Sequence, residues 1–268
     1  MKIAFIGCGN MGKAIISGLK NNRTNIPFEF TISAFDPLQE ELKVFAKEYG
    51  IEATTTNLQA IDNADIIVLA VKPQSIEQVL PPLKGHIKNL ALIVSICAGV
   101  PIKKIQNLSG HQAIVRAMPN TPAQIGQSNT VWTSSSINNE QEMWALNVLK
   151  AIGISHFVGS EDNIDKATAI SGSGPAYVFY FTECLVKAAL ELGFDEEMAT
   201  TLAINTVAGA ASYAQNSTLE LSKLRENVTS KGGTTEAALK IFDEQGLESI
   251  TIEAAKAAYR RARELSVI

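Results

Sequence analysis

The opening stretch KIAFIGCGNMGKAIISGL restricts the fold of this chain more than any other. A short β-rich run leads straight into Gly7, Gly9 and Gly12 in GxGxxG spacing, and a helix-like segment follows at once. Gly7 allows a tight turn, Gly9 lets the backbone approach a pyrophosphate, and Gly12 permits close helix–strand packing. The helix N-terminus then faces the phosphate charge. A lone GxGxxG is a weak signal whose plain alternative is a tight turn. Here strand, glycines and helix agree, and dinucleotide binding is expected.

The pattern after this unit repeats. Short β-rich runs (KIAFIG, FEFTISAF, ADIIVLAV, LALIVSI, QAIVRAM) are separated by helix-like segments such as PLQEELKVFAKEYG. Continuous apolar runs mark strands buried on both faces, and strand–helix alternation implies a parallel sheet covered by helices. TVWTS and ISHFVG read as two further strands with NNEQEMWALNVLKAIG as the helix between them. Near Ser160 the pattern changes to long Ala/Leu/Glu-rich segments with no convincing strand. The expected fold class is therefore α/β: a Rossmann-like, dinucleotide-binding domain over residues 1–160, then an all-helical domain over 161–268. The helical part is rich in Ala, Val and Ile on more than one helix face. One reading is a small helical core and the other is two copies packing together. The dimer is favoured, because a helix apolar all round must be covered by something.

Composition removes several function classes. The chain has 268 residues, 46% of them apolar, and a formal net charge of −4, enough for a substantial core. No basic block is present, so nucleic acid is not an expected partner. The start MKIAFIG lacks the regions of a signal peptide, and the longest apolar run, LALIVSICAGV, is too short to span a bilayer. Cys8, Cys97 and Cys184 are odd in number and show no metal-ligand spacing, so neither a disulfide framework nor a metal site is expected. The expectation is a soluble cytoplasmic protein.

Further candidates lie at the ends of later strands, where ligands bind in doubly wound folds. SAFDP places Asp36 where a carboxylate would accept hydrogen bonds from the adenosine ribose hydroxyls and repel a 2′-phosphate, which leans toward NADH over NADPH. Its alternative is a helix cap or a solvated loop Asp before Pro37. AVKPQ (Ala70 to Gln74) and SICAGV (Ser95 to Val100) occupy similar strand ends, though pattern alone reads both as structural.

At the other end of the chain, VTSKGGTTEAAL crowds two glycines and four hydroxyl side chains in front of a helix, more than an N-cap requires. Exposed N–H groups at Gly232, Gly233 and Thr234, beside the hydroxyls of Ser230, Thr234 and Thr235, would suit a small anion such as a carboxylate. SGSGPAY (Ser171 to Tyr177) is a second small-residue segment before a helix. Together with a dinucleotide site they point to redox chemistry on a small carboxylate. A hydroxy-acid dehydrogenase needs a strong acid–base group. His86, His111 and His156 occupy unremarkable contexts. An imine relaxes that demand, since its nitrogen arrives protonated and a positioned hydroxyl can suffice.

FIGCGNMG, AVKPQ, VRAMPNTPA, SGSGPAY and above all LRENVTSKGGTTEAAL make the whole chain resemble the pyrroline-5-carboxylate reductases, the last enzymes of proline biosynthesis. The resemblance implies reduction of 1-pyrroline-5-carboxylate to L-proline by NADH or NADPH. It implies that Ser230, Gly233 and Thr234 hold the carboxylate, that the catalytic hydroxyl of Thr235 reaches the ring nitrogen, and that Asn227 and Glu161 lie near the substrate. On the cofactor side it implies contacts from Gly7, Cys8, Gly9, Asn10, Met11, Gly12, Asn57, Ala70, Val71, Lys72, Pro73, Cys97 and Ala98, with Ser173 near the nicotinamide. Residues 161–268 become a dimerisation and substrate-binding domain; family members form interleaved dimers that share active sites, and many join five dimers into a decamer.

Three positions depart from the family pattern. Lys231 replaces the usual Pro of the glycine-rich loop, Gly12 is often Ala, and Asp36 stands where many relatives carry residues that accept a 2′-phosphate. Two other readings compete. A β-hydroxyacid dehydrogenase or related imine reductase would need a catalytic Lys on the long interdomain helix, where Lys187 lies too far along. A cofactor-sensing regulator would bind NAD(P) without turnover, and the intact GGTT loop speaks against it.

Overall fold

The computed structural model describes the backbone of residues 1–267 and the side chains of residues 1–265. The first part runs β1 (Lys2–Ile6), α1 (Asn10–Asn21), β2 (Thr31–Phe35), α2 (Gln39–Tyr49), β3 (Glu52–Ala53), α3 (Asn57–Ile61), β4 (Ile66–Leu69), α4 (Ile76–Val79), β5 (Leu92–Ser95) and α5 (Ile102–Ser109). It continues through β6 (Ile114–Met118), β7 (Ser128–Ser134), α6 (Asn139–Lys150), β8 (Gly153–Phe157) and α7 (Glu161–Ala167). The remaining helices are α8 (Gly174–Glu191), α9 (Glu196–Asn216), α10 (Leu221–Asn227), α11 (Thr234–Glu244) and α12 (Leu247–Val267). They form two compact units: residues 1–173 together with the stretch from Ala258 onward, and Gly174–Ala257.

The first unit is one eight-stranded sheet in the order β3-β2-β1-β4-β5-β6-β7-β8. Alternate residues of each strand feed two cores. Ile3, Phe5, Val68, Val94 and Val115 pack with α1 and α6, while Ala4, Ile6, Leu69, Ile93 and Ile114 pack with α3, α4 and α5. Both faces are covered, which is why these strands read as unbroken apolar runs. Local signals set the helix ends. Gly50 closes α2 in the left-handed conformation, with φ 60°. Asn138 and Gln141 form a reciprocal capping box at the start of α6.

Three details differ from the sequence reading. The strand expected over FEFTISAF covers only Thr31–Phe35, because Phe28 and Phe30 leave the ladder to meet edge to face at 6.3 Å. A two-residue β3 at the sheet edge carries no readable pattern. The sheet is not wholly parallel, since β7 runs antiparallel to β6. Only residues 119–127 join them, with a single tight helical turn at Thr121–Ile125. A parallel return would need a crossover of about a dozen residues or more.

One charged group is built into this unit. Arg116, 2% exposed, donates from Nη1 to Glu161 Oε1 at 2.9 Å and from Nη2 to Asp165 Oδ1 at 2.6 Å. Glu161 Oε1 also accepts the Ile102 N–H at 2.9 Å, so one guanidinium ties β6, α7 and the start of α5 together. Tyr259 on α12 donates to Asp162 Oδ1 at 2.6 Å and fastens the end of the chain to α7.

The second unit holds α8 to α11 and the first half of α12. Helices α8 and α9 pack along each other, and Phe181 of α8 meets Phe242 of α11 at 6.5 Å. Among the described residues of this unit only Ala199, Ala203 and Leu224 are buried. Phe179 and Tyr180 stand 62% and 66% exposed, with Ile241 and Ile250 similarly open. Helices this apolar require a covering surface. Among the described residues no helix is long and apolar enough to cross a membrane.

Candidate functional site

The glycine loop joins β1 to α1 at the carboxyl edge of the sheet. Gly7 has φ +90°, and a Cβ there would lie 2.6 Å from the Ala70 carbonyl oxygen. A Cβ on Gly12 would lie 2.8 Å from the Gly7 carbonyl oxygen. Gly9 differs: a Cβ there would meet no heavy atom within 4 Å. Gly9 is also the N-cap of α1, with no side-chain capping bond and no acidic residue in the first turn. Asn10, Met11 and Gly12 therefore present the unsatisfied N–H groups of a helix start beside open space, which suits a pyrophosphate.

Asp36 at the end of β2 is firmly held. Its Oδ2 accepts the Cys8 N–H at 2.7 Å and its Oδ1 accepts the Leu38 N–H at 2.9 Å. The carboxylate thus shapes the glycine loop and the entry to α2 together. Gln39 steadies the same corner, donating from Nε2 to the Asp36 carbonyl at 2.6 Å. Asn57 opens α3, and its Oδ1 is buried without a hydrogen-bond partner among the described residues. An orphaned acceptor costs stability, so Asn57 fits a position where a bound molecule supplies a donor.

Ala70, Val71, Lys72 and Pro73 follow β4 beside the glycine loop, Ala70 donating its N–H to the Ile6 carbonyl at 2.8 Å. Cys97 donates its thiol to the Val71 carbonyl at 3.3 Å, which joins the turn after β4 to the Cys97–Ala98 turn after β5. Burial pushes the Cys97 thiol up to about 11, against weaker opposing hydrogen bonds with Ser95 and Val71. Cys8 is likewise raised to about 11, chiefly by burial and then by Asp36, with Lys13 opposing. Both stay protonated near neutral pH, so neither acts as a nucleophile. The expected cofactor residues from Gly7 to Ala98 are thus brought to one edge of one sheet. Ser173 closes the first unit, after a π-helical turn at Thr168–Gly172, with its N–H on the Thr168 carbonyl at 2.7 Å. Glu161 stands apart from this set, occupied by Arg116 and Ile102.

The second unit carries the other expected residues. Asn227 ends α10, and Ser230, Gly233, Thr234 and Thr235 lead into α11. Gly232 has φ +73°, which a side chain rarely tolerates. A Cβ on Gly233 would fall 2.5 Å from Ser230 Oγ, so the serine hydroxyl lies directly over the glycine. The sequence reading expected the Gly232 and Gly233 N–H groups to be exposed. They are used internally, Gly232 donating to Glu236 Oε2 at 2.7 Å and Gly233 to the Ser230 carbonyl at 3.0 Å. What α11 presents is its first turn: the N–H groups of Thr234 and Thr235 with the hydroxyls around them. Glu236 escaped the sequence reading. Its signal was a Glu at the third position of α11, where capping-box residues reach back to the N-terminus.

Family models match both parts of the chain. One described as pyrroline-5-carboxylate reductase dimerisation matches residues 161–265, and one described as NADP oxidoreductase coenzyme F420-dependent matches residues 2–99. A pyrroline-5-carboxylate reductase of Pseudomonas aeruginosa is 39% identical over 99% of this chain and 97% of its own length. A solved pyrroline-5-carboxylate reductase of Coxiella burnetii superposes with a TM-score of 0.90 at 38% identity, covering 98% of each chain. The pyrroline carboxylate reductase of Plasmodium falciparum, solved with NADP bound, gives a TM-score of 0.86 at 28% identity, over 99% of this chain and 98% of that one.

Proposed function

The chain belongs to the pyrroline-5-carboxylate reductase family, and from that premise we propose that it reduces 1-pyrroline-5-carboxylate to L-proline as an NAD(P)H-dependent oxidoreductase. The observation that carries this reading is the presence, in one chain matched over almost its whole length, of both an uncapped glycine-loop helix and an intact Gly233–Thr235 helix start. When bound, a reduced nicotinamide supplies the hydride. Gly9 to Gly12 would hold its pyrophosphate, Asn57 and the Ala70–Pro73 and Cys97–Ala98 turns would line the nucleotide, and Ser173 would lie near the nicotinamide.

The substrate carboxylate is held by Ser230, Gly233 and Thr234, where the N-terminal end of α11 favours negative charge. Asn227 and Glu161 lie in the wider surroundings of the substrate, Glu161 acting through the Arg116 group. The ring nitrogen enters protonated, so the protein need not supply a strong acid. The Thr235 hydroxyl accepts its N–H and fixes the imine carbon for hydride delivery, a catalytic contribution by orientation. The second unit self-associates: among the described residues none of α8 or α11 is fully buried, and the matching model is a dimerisation domain. A homodimer that shares its active sites is the working unit, and sedimentation separates it from a decamer of five dimers. A cytoplasmic location accords with three free cysteines.

Thr235→Val keeps the shape of the side chain and removes the hydroxyl. It is expected to lower kcat by about tenfold to a hundredfold, the scale of one hydrogen bond to a charged group. Cofactor affinity, followed by nicotinamide fluorescence, should be unchanged. Wild-type turnover in this variant would remove Thr235 from the chemistry.

The fixed carboxylate of Asp36 favours NADH, because it accepts ribose hydroxyl donors and repels a 2′-phosphate. Nicotinamide oxidation with racemic 1-pyrroline-5-carboxylate, run with NADH and NADPH at matched concentrations, tests the activity and the preference together. Asp36→Ser should raise the NADPH-to-NADH ratio of kcat/KM by about tenfold or more, near 1.4 kcal/mol. An unmoved ratio would confine Asp36 to its bonds with Cys8 and Leu38. Cofactor binding without turnover on any pyrroline carboxylate would instead favour a sensing protein.

A further inference from the structure

The carbonyl of Ser171 has an unusual donor. If the chain continued in α-helical register from this point, it would receive the N–H of residue 175, and residue 175 is proline, which has none. The Asn120 side chain fills that place, donating from Nδ2 to the Ser171 carbonyl at 2.9 Å. Asn120 is itself held at two further points: its Oδ1 accepts the Asn129 N–H at 2.9 Å, and its own N–H donates to Ser128 Oγ at 3.3 Å. At 8% exposure it is largely shielded from water, and flipping the carboxamide would set its NH2 against the Asn129 N–H.

The segment so held is the π-helical turn. Ser173 donates its N–H five residues back to Thr168 at 2.7 Å, a geometry that concentrates at functional positions. Met118, two residues before Asn120, closes the same turn from the side, its Cε 3.1 Å from where a Gly172 Cβ would stand. The loop after β6 therefore braces Ser171 and Gly172, and Ser173 is the next residue.

We propose that Asn120 is a positioning residue for the reduction: its carboxamide replaces the amide that Pro175 lacks, holds the Thr168–Ser173 turn in its π-helical path, and so fixes Ser173 for its place near the nicotinamide. The inference rests on the reading of Ser173 given above. Asn120 touches neither substrate nor cofactor in this role. It acts through the backbone of the turn.

Asn120→Asp tests this almost isosterically. The carboxylate still accepts the Asn129 N–H but donates nothing to Ser171, whereas the protonated acid donates again. At about pH 8.5, kcat should fall about tenfold or more, the scale set by sub-ångström misplacement, with substrate KM little changed. It should recover toward wild type as the pH is lowered to about 5.5, because a buried carboxyl titrates high. Amide exchange in residues 168–173 should quicken and slow again in step. Asn120→Leu, which cannot donate at any pH, should be impaired throughout, and adding Pro175→Ala to it should restore slow exchange by returning the missing N–H. Wild-type exchange in Asn120→Leu overturns the proposal whatever the activity. Fast exchange with wild-type kcat also overturns it. Ser173→Ala then identifies the cause: full activity means the Ser173 reading failed, whereas lost activity means Asn120 is not what positions Ser173.

Discussion

Gly7→Ala is expected to destroy cofactor binding and to lower the unfolding free energy by about 2–5 kcal/mol. Two costs add. The φ of +90° is one that side chains rarely adopt, worth about 1–2 kcal/mol. The new Cβ would also sit 2.6 Å from the Ala70 carbonyl oxygen and 3.0 Å from Val71 Cγ1, and relieving such crowding costs about 1–3 kcal/mol. The loop cannot move away freely, because the Cys8 N–H is bonded to Asp36 and the Gly7 N–H to the Phe35 carbonyl at 2.9 Å. Gly9→Ala supplies the contrast. Its Cβ meets nothing within 4 Å, so stability should stay within about 0.5 kcal/mol of wild type. The methyl would nonetheless occupy the open space assigned to the pyrophosphate, and cofactor affinity should fall about tenfold or more. Denaturant titration and cofactor titration on the two variants separate folding from binding. Tight binding by Gly9→Ala would remove the pyrophosphate from that space.

The second large effect is expected at Arg116. Arg116→Met keeps much of the apolar stem and removes the guanidinium from Glu161 and Asp165. Deleting one partner of a buried ion pair costs about 3–5 kcal/mol, because the remaining charge loses its compensation in a low-dielectric site. Asp165 dominates, since its side chain is 10% exposed where that of Glu161 is 34% exposed and partly screened. Chemical denaturation at fixed protein concentration reads the difference, and added salt should alter it little. Glu161→Gln is the milder companion. It can still accept the Ile102 N–H, so its cost should be about 1 kcal/mol. A loss below that for Arg116→Met would mean that the guanidinium contributes little to holding α7 on the sheet.

Much of the fold is legible in the chain because its signals are local. Buried strands such as IIVL over Ile66–Leu69 show as apolar runs, Gly50 closes a helix where the sequence places a glycine, and the Gly7–Gly12 spacing is visible beside its strand and helix. The antiparallel β7 was not legible, because strand direction depends on the span available to the connection and not on strand composition. The sequence makes Asp36 a ribose contact, with a helix cap or a solvated loop Asp as the alternative. The structure shows its backbone bonds to Cys8 and Leu38, and the proposed ribose contact would add to them. Asn120 escapes because it acts on backbone that its residue type does not announce, and Glu236 because Gly233, not Ser or Thr, stands at the N-cap that would complete its box.

Local stretches of the chain set the two classes of structure in this protein, the strand–helix alternation of its first part, and the residues that crowd each helix start. Those follow from side-chain periodicity and from the steric freedom of glycine, both properties of a few neighbouring residues. Tertiary structure alone decided which donors and acceptors meet: Arg116 with residues 45 and 49 positions away, Asn120 with Ser171, Cys8 with Asp36. A buried polar group must find a partner wherever the packed chain places one. That choice depends on which strands become neighbours, so it is written in the fold and not in any local stretch of the chain.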